Sequence, residues 1–492
     1  MKRSQVVESA NASPEQASAK VEILLLSTSL LVDRVFQYTN LVPKLSEKGN
    51  VTIWASSFDE ENRDNSWNGL TADLEPFPDV QAFREFPYNY LRRLNEYVWD
   101  YRYKLPSRMS MMKHRRDKQA RFLVRALKSP AKVLAGFGTE VLLEKYLERL
   151  LLTYPRSRDA EYRFGKRRPD IIVSTGPFQF EQPAIFSVAK RMNIPTIAYI
   201  PSWDNVSTKN RMVFDYDAYL VWNEQAKREL NEFYPVTRNR SVYVIGSPQF
   251  DVFYQERFHI SREEFCAEQN LDADRPIIVY AIGSPNFLKE QPGAEYLAKR
   301  VAKGHLGNVQ LLIRPHPIHD NAEMHELFDR YSPNVRLQRT RNAGKALNKR
   351  TQDETDINEW VNTFRHANVV VNLSSTVTID AAKFDCPVVN LDFDPQPGQA
   401  DQQLIKEVNH EWSHFKPIAE SGGVWLANDF GEVETAIKTY LKDPALHREK
   451  RKWIVDHVCG YSDANCGERM AEAIVSFINI KIAGSNRTND IK

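Results

Sequence analysis

The stretch IIVSTGPFQFEQPAIFSVAKRMNIPTIAYI, residues 171–200, decides the fold. Ile171–Ser174 is a short apolar run that ends in the turn signal Thr175-Gly176-Pro177. Pro183–Met192 has a helical pattern, and Thr196–Ile200 is a second apolar run. Continuous apolar strands belong to parallel sheets covered on both faces. Strand, helix and strand joined by short connections make a β-α-β unit.

The same grammar extends outward. Val21–Leu26 and Val51–Ala55 read as strands before this unit, and Tyr219–Trp222 and Val242–Ile245 as strands after it. A second set begins past Asp251. Ile277–Ile282 runs into Gly283-Ser284-Pro285, Val309–Ile313 into Arg314-Pro315-His316-Pro317, and Asn368–Leu373 into Ser374-Ser375-Thr376. The helix Val377–Phe384 then leads to strand Pro387–Leu391. Two sets predict two doubly wound Rossmann-like α/β domains, over 20–250 and 251–482, hinged at Gly246–Tyr254. Pro444–Val458 and Glu468–Ile478 read as closing helices, residues 1–19 as a disordered leader and 483–492 as a flexible tail.

Charge breaks the pattern between residues 91 and 168. There 21 Lys/Arg stand against 8 Asp/Glu, a net of +13 in a chain of 492 residues whose net charge is only +2. Helical spacing of Phe122, Leu123, Leu127 and of Val141, Leu142, Leu147, Leu150, Leu151 makes this a basic helical insertion in the first domain. It either packs on that domain with its charges in water or meets anionic lipid headgroups or a polyanionic acceptor. Tyr97, Trp99, Tyr101 and Tyr103 are candidate exposed aromatics for such a surface, with Arg115, Arg116 and Lys118 as candidate cations. The near-zero overall charge argues against a nucleic-acid partner. No apolar run approaches the roughly 20 residues a spanning helix needs. Four cysteines without C-x-x-C spacing suit a reduced, cytoplasmic setting, with peripheral contact at the inner face of the membrane.

In open α/β sheets ligands bind beyond the carboxyl ends of the strands. Gly283, Ser284, Arg314, His316, Ser374, Ser375 and Thr376 all occupy that position, and small hydroxyl residues at a helix start suit a phosphate. Ser374–Thr376 also fits plain helix capping. Several chemistries lack their signatures: no G-x-G-x-x-G, no G-x-x-x-x-G-K-[ST] and no G-x-S-x-G is present. His410-Glu411-Trp412-Ser413-His414 fits H-E-x-x-H, but Pro417 and Gly422-Gly423 deny it the long helix a zinc site needs. Asp392-Phe393-Asp394 spells D-x-D after a strand and reads as polar lining of the cleft. No metal or cofactor is expected.

The set Arg314-Pro315-His316-Pro317, Asn372-Leu373-Ser374-Ser375-Thr376 and Asp380-Ala381-Ala382 resembles the donor half of GT-B nucleotide-sugar transferases. It is most similar to the branch with CDP-glycerol glycerophosphotransferases and bacterial capsule or surface-carbohydrate transferases. Tyr199–Asn205, Gly246–Asp251 and Cys459–Asp463 with Glu468-Arg469 also look like this branch, so the resemblance covers about residues 165–475. It implies a GT-B fold, two Rossmann-like domains facing a cleft, and His-Pro and Ser-Ser elements that hold nucleotide phosphates. Many GT-B enzymes carry Glu where this chain has Asp380, so a ribose contact there would come from a shorter carboxylate. His414, in the loop before the last strand, would approach the donor or serve structurally.

The expectation is therefore a metal-independent glycosyltransferase that takes a nucleotide-activated sugar to a surface polysaccharide or lipid-linked saccharide. Arg314, His316 and Ser374–Thr376 would stabilise the leaving phosphate. Asp204, or else Asp33, would take the acceptor proton. Asp204 also fits a helix-cap role. The alternatives are a CDP-glycerol-type polyol-phosphate transferase, a non-hydrolysing UDP-N-acetylglucosamine 2-epimerase, and a non-catalytic nucleotide-binding module.

Overall fold

The computed structural model describes residues 20–58, 67, 69–81, 84–114, 118–153, 156–284, 287–316, 320–340 and 352–489. The expected leader and residues 490–492 lie outside them. Two all-parallel sheets form the molecule. The first contains β1 (Val21–Ser27), β2 (Gly49–Ala55), β3 (Asp73–Pro76), β4 (Ile171–Ser174), β5 (Thr196–Tyr199), β6 (Ala218–Val221) and β7 (Ser241–Val244). Its order is β3-β2-β1-β4-β5-β6-β7. The second contains β8 (Ile277–Ala281), β9 (Gln310–Arg314), β10 (Val335–Leu337), β11 (Val369–Leu373), β12 (Val388–Leu391) and β13 (Trp425–Ala427), in the order β10-β9-β8-β11-β12-β13. In both sheets the order reverses beside the first strand, which is the doubly wound arrangement with its crevice at the switch point.

Central strands such as β8 and β11 are buried along their whole length, as apolar runs covered on both faces should be. Three strands were not legible beforehand, β3, β10 and β13. All three are partly exposed edge strands of three or four residues, too short to carry a buried apolar run.

The basic segment is helical and lies between β3 and β4, as helices Tyr88–Tyr103, Pro106–Lys113, Lys118–Gly136, Glu140–Thr153 and Arg158–Lys166. The expectation of exposed aromatics fails for two of its four residues. Tyr97 and Trp99 are buried, and the Trp99 indole donates to the Phe233 carbonyl at 2.8 Å while packing on Tyr234. Tyr101 and Tyr103 are half-buried beside them. Helical spacing turns residues 92, 95, 96, 99 and 100 inward together. That face is polar as well as aromatic. Arg92 pairs with Glu96 at 3.2 Å, Arg108 with Asp100 at 3.1 Å, and Arg211 donates to Asn95 at 2.8 Å. Arg115 and Arg116 lie outside the described residues, as does the side chain of Lys118.

The chain crosses between domains twice. The first crossing follows β7 through Gly246 and the 3-10 turns Pro248–Tyr254. The second joins helix Arg448–Cys459 to helix Cys466–Asn489, which packs on the first domain and reaches Asp217 with Lys481 at 3.1 Å. This last helix continues into the stretch expected as a tail. The two crossings touch. Asp251 accepts the backbone N–H groups of Cys466 at 3.2 Å and Gly467 at 2.7 Å. Gly246 has φ +86°, and a methyl group there would come within 2.5 Å of Cys466 Sγ, so only glycine fits.

Candidate functional site

Because β9, β8 and β11 are neighbours and parallel, their carboxyl ends bring Gly283, Ser284, Arg314, His316 and Ser374–Thr376 to one rim. The rim is held by a residue that sequence reasoning missed. Glu290, only 3% exposed, accepts the Leu373 N–H through Oε1 at 2.8 Å and the Gly283 N–H through Oε2 at 2.5 Å. One carboxylate thus ties the loop after β8 to the carboxyl end of β11. A methyl group on Gly283 would stand 2.6 Å from Glu290 Oε2. Burial pushes the Glu290 carboxyl up to about 7. No spacing announces such a residue; it is a lone carboxylate in a loop.

The Ser-Ser-Thr turn rests on a buried polar ladder. Asn372 and Asn390 are register partners on β11 and β12, both fully buried. Asn390 Nδ2 donates to Asn372 Oδ1 at 2.7 Å and to Thr378 Oγ1 at 3.0 Å, and Asn372 Nδ2 donates to Ser375 Oγ at 2.9 Å. Here the sequence did carry a signal, an Asn near the end of each of two otherwise apolar strands. Asn390→Ala leaves Asn372 Oδ1 buried without its donor, and unmade buried bonds cost about 1–3 kcal/mol each. We expect a lower urea midpoint for this variant, measured by fluorescence.

The two serines are not equivalent. Ser375 Oγ already accepts from Asn372 and, at 3.3 Å, from the Val377 N–H, so its own hydrogen is the part left to donate. Ser374 instead donates its hydrogen to Asn409 Oδ1. Thr376 is exposed at the start of helix Val377–Ala382.

Arg314 is anchored through Nη1 to Gln338 Oε1 at 2.7 Å, and its charge faces Glu359, Asp380 and Asp356. Asp380 accepts from the Trp360 indole at 3.3 Å. Burial pushes its carboxyl up to about 7 against that bond and the fields of Arg34 and Arg314. Trp360 sits on helix Glu354–His366, which a reciprocal Asp353–Asp356 capping box starts. Arg34, from the first domain, lays its guanidinium 3.8 Å from the Trp360 ring centre and donates to Gln352 at 2.9 Å. Arg34 was not anticipated, and it joins the two domains beside the rim.

The proton-accepting candidates differ in environment. Asp33 follows β1 and is buried, with Ser27 donating to Oδ1 and Ser57 donating to Oδ2 at 2.8 Å. Burial outweighs those bonds and pushes its carboxyl up to about 6. Asp204 follows β5. Burial raises it too, but the fields of His414 and Lys209 and the hydroxyls of Ser202 and Thr208 prevail, and its carboxyl is held below the usual range. His414 is itself pushed down by burial against the field of Asp204. His414 lies edge-on to Trp203 with ring centres 5.8 Å apart, its backbone carbonyl accepts from the Trp203 indole at 3.3 Å, and its Nδ1 is buried without a partner.

In the two metal-like motifs, His410, Asp392 and Asp394 are engaged by protein groups. His410 is the last residue of helix Gln402–His410, and His414 lies beyond its end. Asp392 Oδ2 accepts from Lys406 Nζ at 2.6 Å and lies 2.9 Å from His410 Nε2. Asp394 accepts the backbone N–H groups of Gln396 and Asp401 at 3.0 and 2.6 Å. Among the described residues no group of three or more His, Cys, Asp or Glu side chains is arranged to hold a metal ion.

Two parallel doubly wound sheets facing each other across a cleft define the GT-B class. Solved structures share this fold. An S. aureus MnaA–UDP co-structure superimposes with a TM-score of 0.52 at 12% identity over 93% of this chain and 97% of that one. A UDP-GlcNAc 2-epimerase from Neisseria meningitidis bound to UDP-GlcNAc gives 0.52 at 11% identity, over 92% and 99%. No curated protein matches the chain in sequence. Residues 189–476, more than half of the chain, match the model of the CDP-glycerol:poly(glycerophosphate) glycerophosphotransferase family. The chain belongs to that family and is a transferase.

Proposed function

We propose that the chain transfers a phosphopolyol from a CDP-activated donor to a hydroxyl of a surface polymer or lipid-linked acceptor. The supporting observation is the rim formed by the β8, β9 and β11 loops inside the segment that matches the family. The donor's phosphates lie on that rim, and the acceptor enters from the first domain. Asp33 takes the acceptor proton, the freed oxygen bonds to the donor's polyol-bearing phosphorus, and the phosphoanhydride bond to CMP breaks. Negative charge then grows on the leaving CMP. Arg314, His316, the Ser375 hydroxyl and the Thr376 backbone N–H stabilise it.

Sugar transfer is the second reading, favoured by the UDP and UDP-GlcNAc named with the solved neighbours. The bond broken separates the two. Phosphopolyol transfer releases CMP, whereas sugar transfer breaks the bond to the anomeric carbon and releases a nucleoside diphosphate. The protein is incubated with CDP-glycerol or UDP-GlcNAc and a membrane-derived acceptor, and nucleotides are separated by chromatography. Acceptor-dependent CMP supports the proposal, and acceptor-dependent UDP supports the second reading. A UDP-GlcNAc epimer formed without acceptor, or no turnover at all, overturns both.

The reaction needs no divalent ion in this reading, because the leaving charge meets Arg314, His316 and backbone donors while Asp392 and Asp394 are held by protein groups. Protein treated with EDTA should keep its rate of nucleotide release. Loss of activity restored by Mg2+ or Mn2+ would contradict this.

A further inference from the structure

The hairpin of helices Lys118–Gly136 and Glu140–Thr153 sorts its side chains by class. Its inner face holds Leu127, Ala131 and Ala135 against the Tyr88–Tyr103 helix, with Leu147 and Leu151 continuing the first domain's core. All three acids of the Glu140–Thr153 helix turn toward the protein and meet its own cations. Glu140 pairs with Arg102 at 3.5 Å, Glu144 with Arg211 at 2.5 Å, and Glu148 with Lys190 at 2.8 Å.

The outer face is the complement. Val133, Phe137, Val141, Leu142 and Tyr146 are exposed, Phe137 by 78% and Leu142 by 68%. Lys128, Lys132, Lys145 and Arg149 are exposed among them, and no exposed acid stands on the described part of the hairpin. The tip is a tight turn in which Gly138 takes φ +64°, with the Phe137 and Gly138 N–H groups bonded back to Leu134 and Ala135. That turn puts Phe137 at the extremity of the hairpin.

An apolar tip ringed by cations, with the three acids of the Glu140–Thr153 helix paired inward, fits a surface that is apolar below and anionic above. We propose that this hairpin docks the protein on an anionic lipid bilayer. Phe137 and Leu142 enter the interface, Tyr146 sits at headgroup level, and Lys128, Lys132, Lys145 and Arg149 meet the lipid phosphates. This goes beyond the reaction proposed above and does not depend on which group is transferred. It also moves the membrane surface away from Tyr97 and Trp99, which the core consumes.

No helix among the described residues is long and apolar enough to cross a membrane, so the attachment proposed is reversible and salt-sensitive. Each surface cation is worth about a fivefold gain in partitioning to an anionic bilayer. The test is flotation of the full chain with vesicles of phosphatidylcholine alone or with 30% phosphatidylglycerol, at low and high salt. Two double variants accompany it, Lys132→Glu/Lys145→Glu and Phe137→Ser/Leu142→Ser. Binding to the anionic vesicles only, reduced by salt, by at least about thirtyfold in the charge variant and by at least tenfold in the polar variant, is expected. Circular dichroism and CDP binding of both variants should match the wild type. A CDP signal absent from the wild type as well would count against the reaction proposed above, not against docking.

Equal binding to both vesicles, or to neither, overturns the proposal. So does undiminished binding of both variants. Sedimentation equilibrium covers a second copy as the occupant: self-association abolished by Phe137→Ser/Leu142→Ser, without vesicle binding, assigns the face to a dimer instead. Binding to soluble polyphosphate but not to vesicles assigns it to an anionic polymer.

Discussion

Asp33→Asn should abolish transfer and at the same time make the protein harder to unfold. A positioned proton acceptor contributes typically 10²–10⁴-fold to rate, so kcat should fall by about a thousandfold with little change in donor affinity. The wild-type rate should rise with pH and reach half its plateau near 6, because the carboxyl pushed up to about 6 by burial accepts a proton only once ionised. The stability effect has the opposite sign. The folded state holds the Asp33 proton more tightly than the unfolded chain, whose carboxyl titrates near the ordinary 3.8. Below that pH both states are protonated and the residue costs nothing. As pH rises from about 4 to 6 the unfolded chain ionises first and stability falls. Above 6 the full cost stands, about 3 kcal/mol for a difference of roughly two pH units. Asn keeps the shape beside Ser27 and Ser57 without the charge, so the variant's melting temperature should exceed the wild type's at pH 7, and the gap should close toward pH 4. An unchanged kcat in Asp33→Asn would remove the residue from the mechanism. A lowered melting temperature at pH 7 would remove the strain argument.

Ser375→Ala and His316→Ala should each weaken donor binding by about ten- to a hundredfold, whereas Ser374→Ala should do so far less. A charge-assisted hydrogen bond contributes about 1.5–3 kcal/mol, which is that range of affinity. The distinction between the serines rests on where their hydrogens go. Ser375 accepts from Asn372 and from the Val377 N–H, so its hydroxyl proton is available to a phosphate oxygen. The Ser374 proton goes to Asn409, whose side-chain amide in turn donates to Asp392 at 2.9 Å. Ser374→Ala therefore breaks a tie between the turn and helix Gln402–His410, and its effect should appear in thermal stability more than in affinity. Calorimetric titration with CDP on all three variants decides this. Equal losses for the two serines would mean that the turn acts through its backbone alone.

Much of this arrangement was written in the apolar runs. Ten of the thirteen strands among the described residues announce themselves as apolar segments, and the residues following β8, β9 and β11 mark the rim because parallel strands share one carboxyl end. The sequence was silent where the determinant is a side chain's partner. Glu290 is an ordinary loop carboxylate until the fold brings two N–H groups to it. Arg34 crosses to Trp360 from a helix more than 300 residues away. Asp33 and Asp204 both follow strands and look alike in sequence. They differ because the field of His414, with Lys209 and the turn's own hydroxyls, outweighs burial at Asp204, while burial dominates at Asp33. The aromatic series from Tyr97 to Tyr103 misled for a related reason. Its helix has an inner face that is both charged and aromatic, and composition cannot say which face meets the core.

The touching crossings at Gly246–Tyr254 and Cys459–Cys466 act mechanically as a door hinge. Because Asp251 ties the two chain crossings together, the covalent connection between the halves is gathered at one place, where a hinge rotation would turn. A swing about that place displaces each contact in proportion to its distance from it. The Asp251 bonds barely move, while contacts far from the hinge must part. At the basic insertion Glu407 is gripped by Ser110, by Lys113 at 2.7 Å and beside His114 at 3.1 Å. That grip works as a door catch, spanning from the insertion to the second domain, and a swing that parts the halves there has to release it.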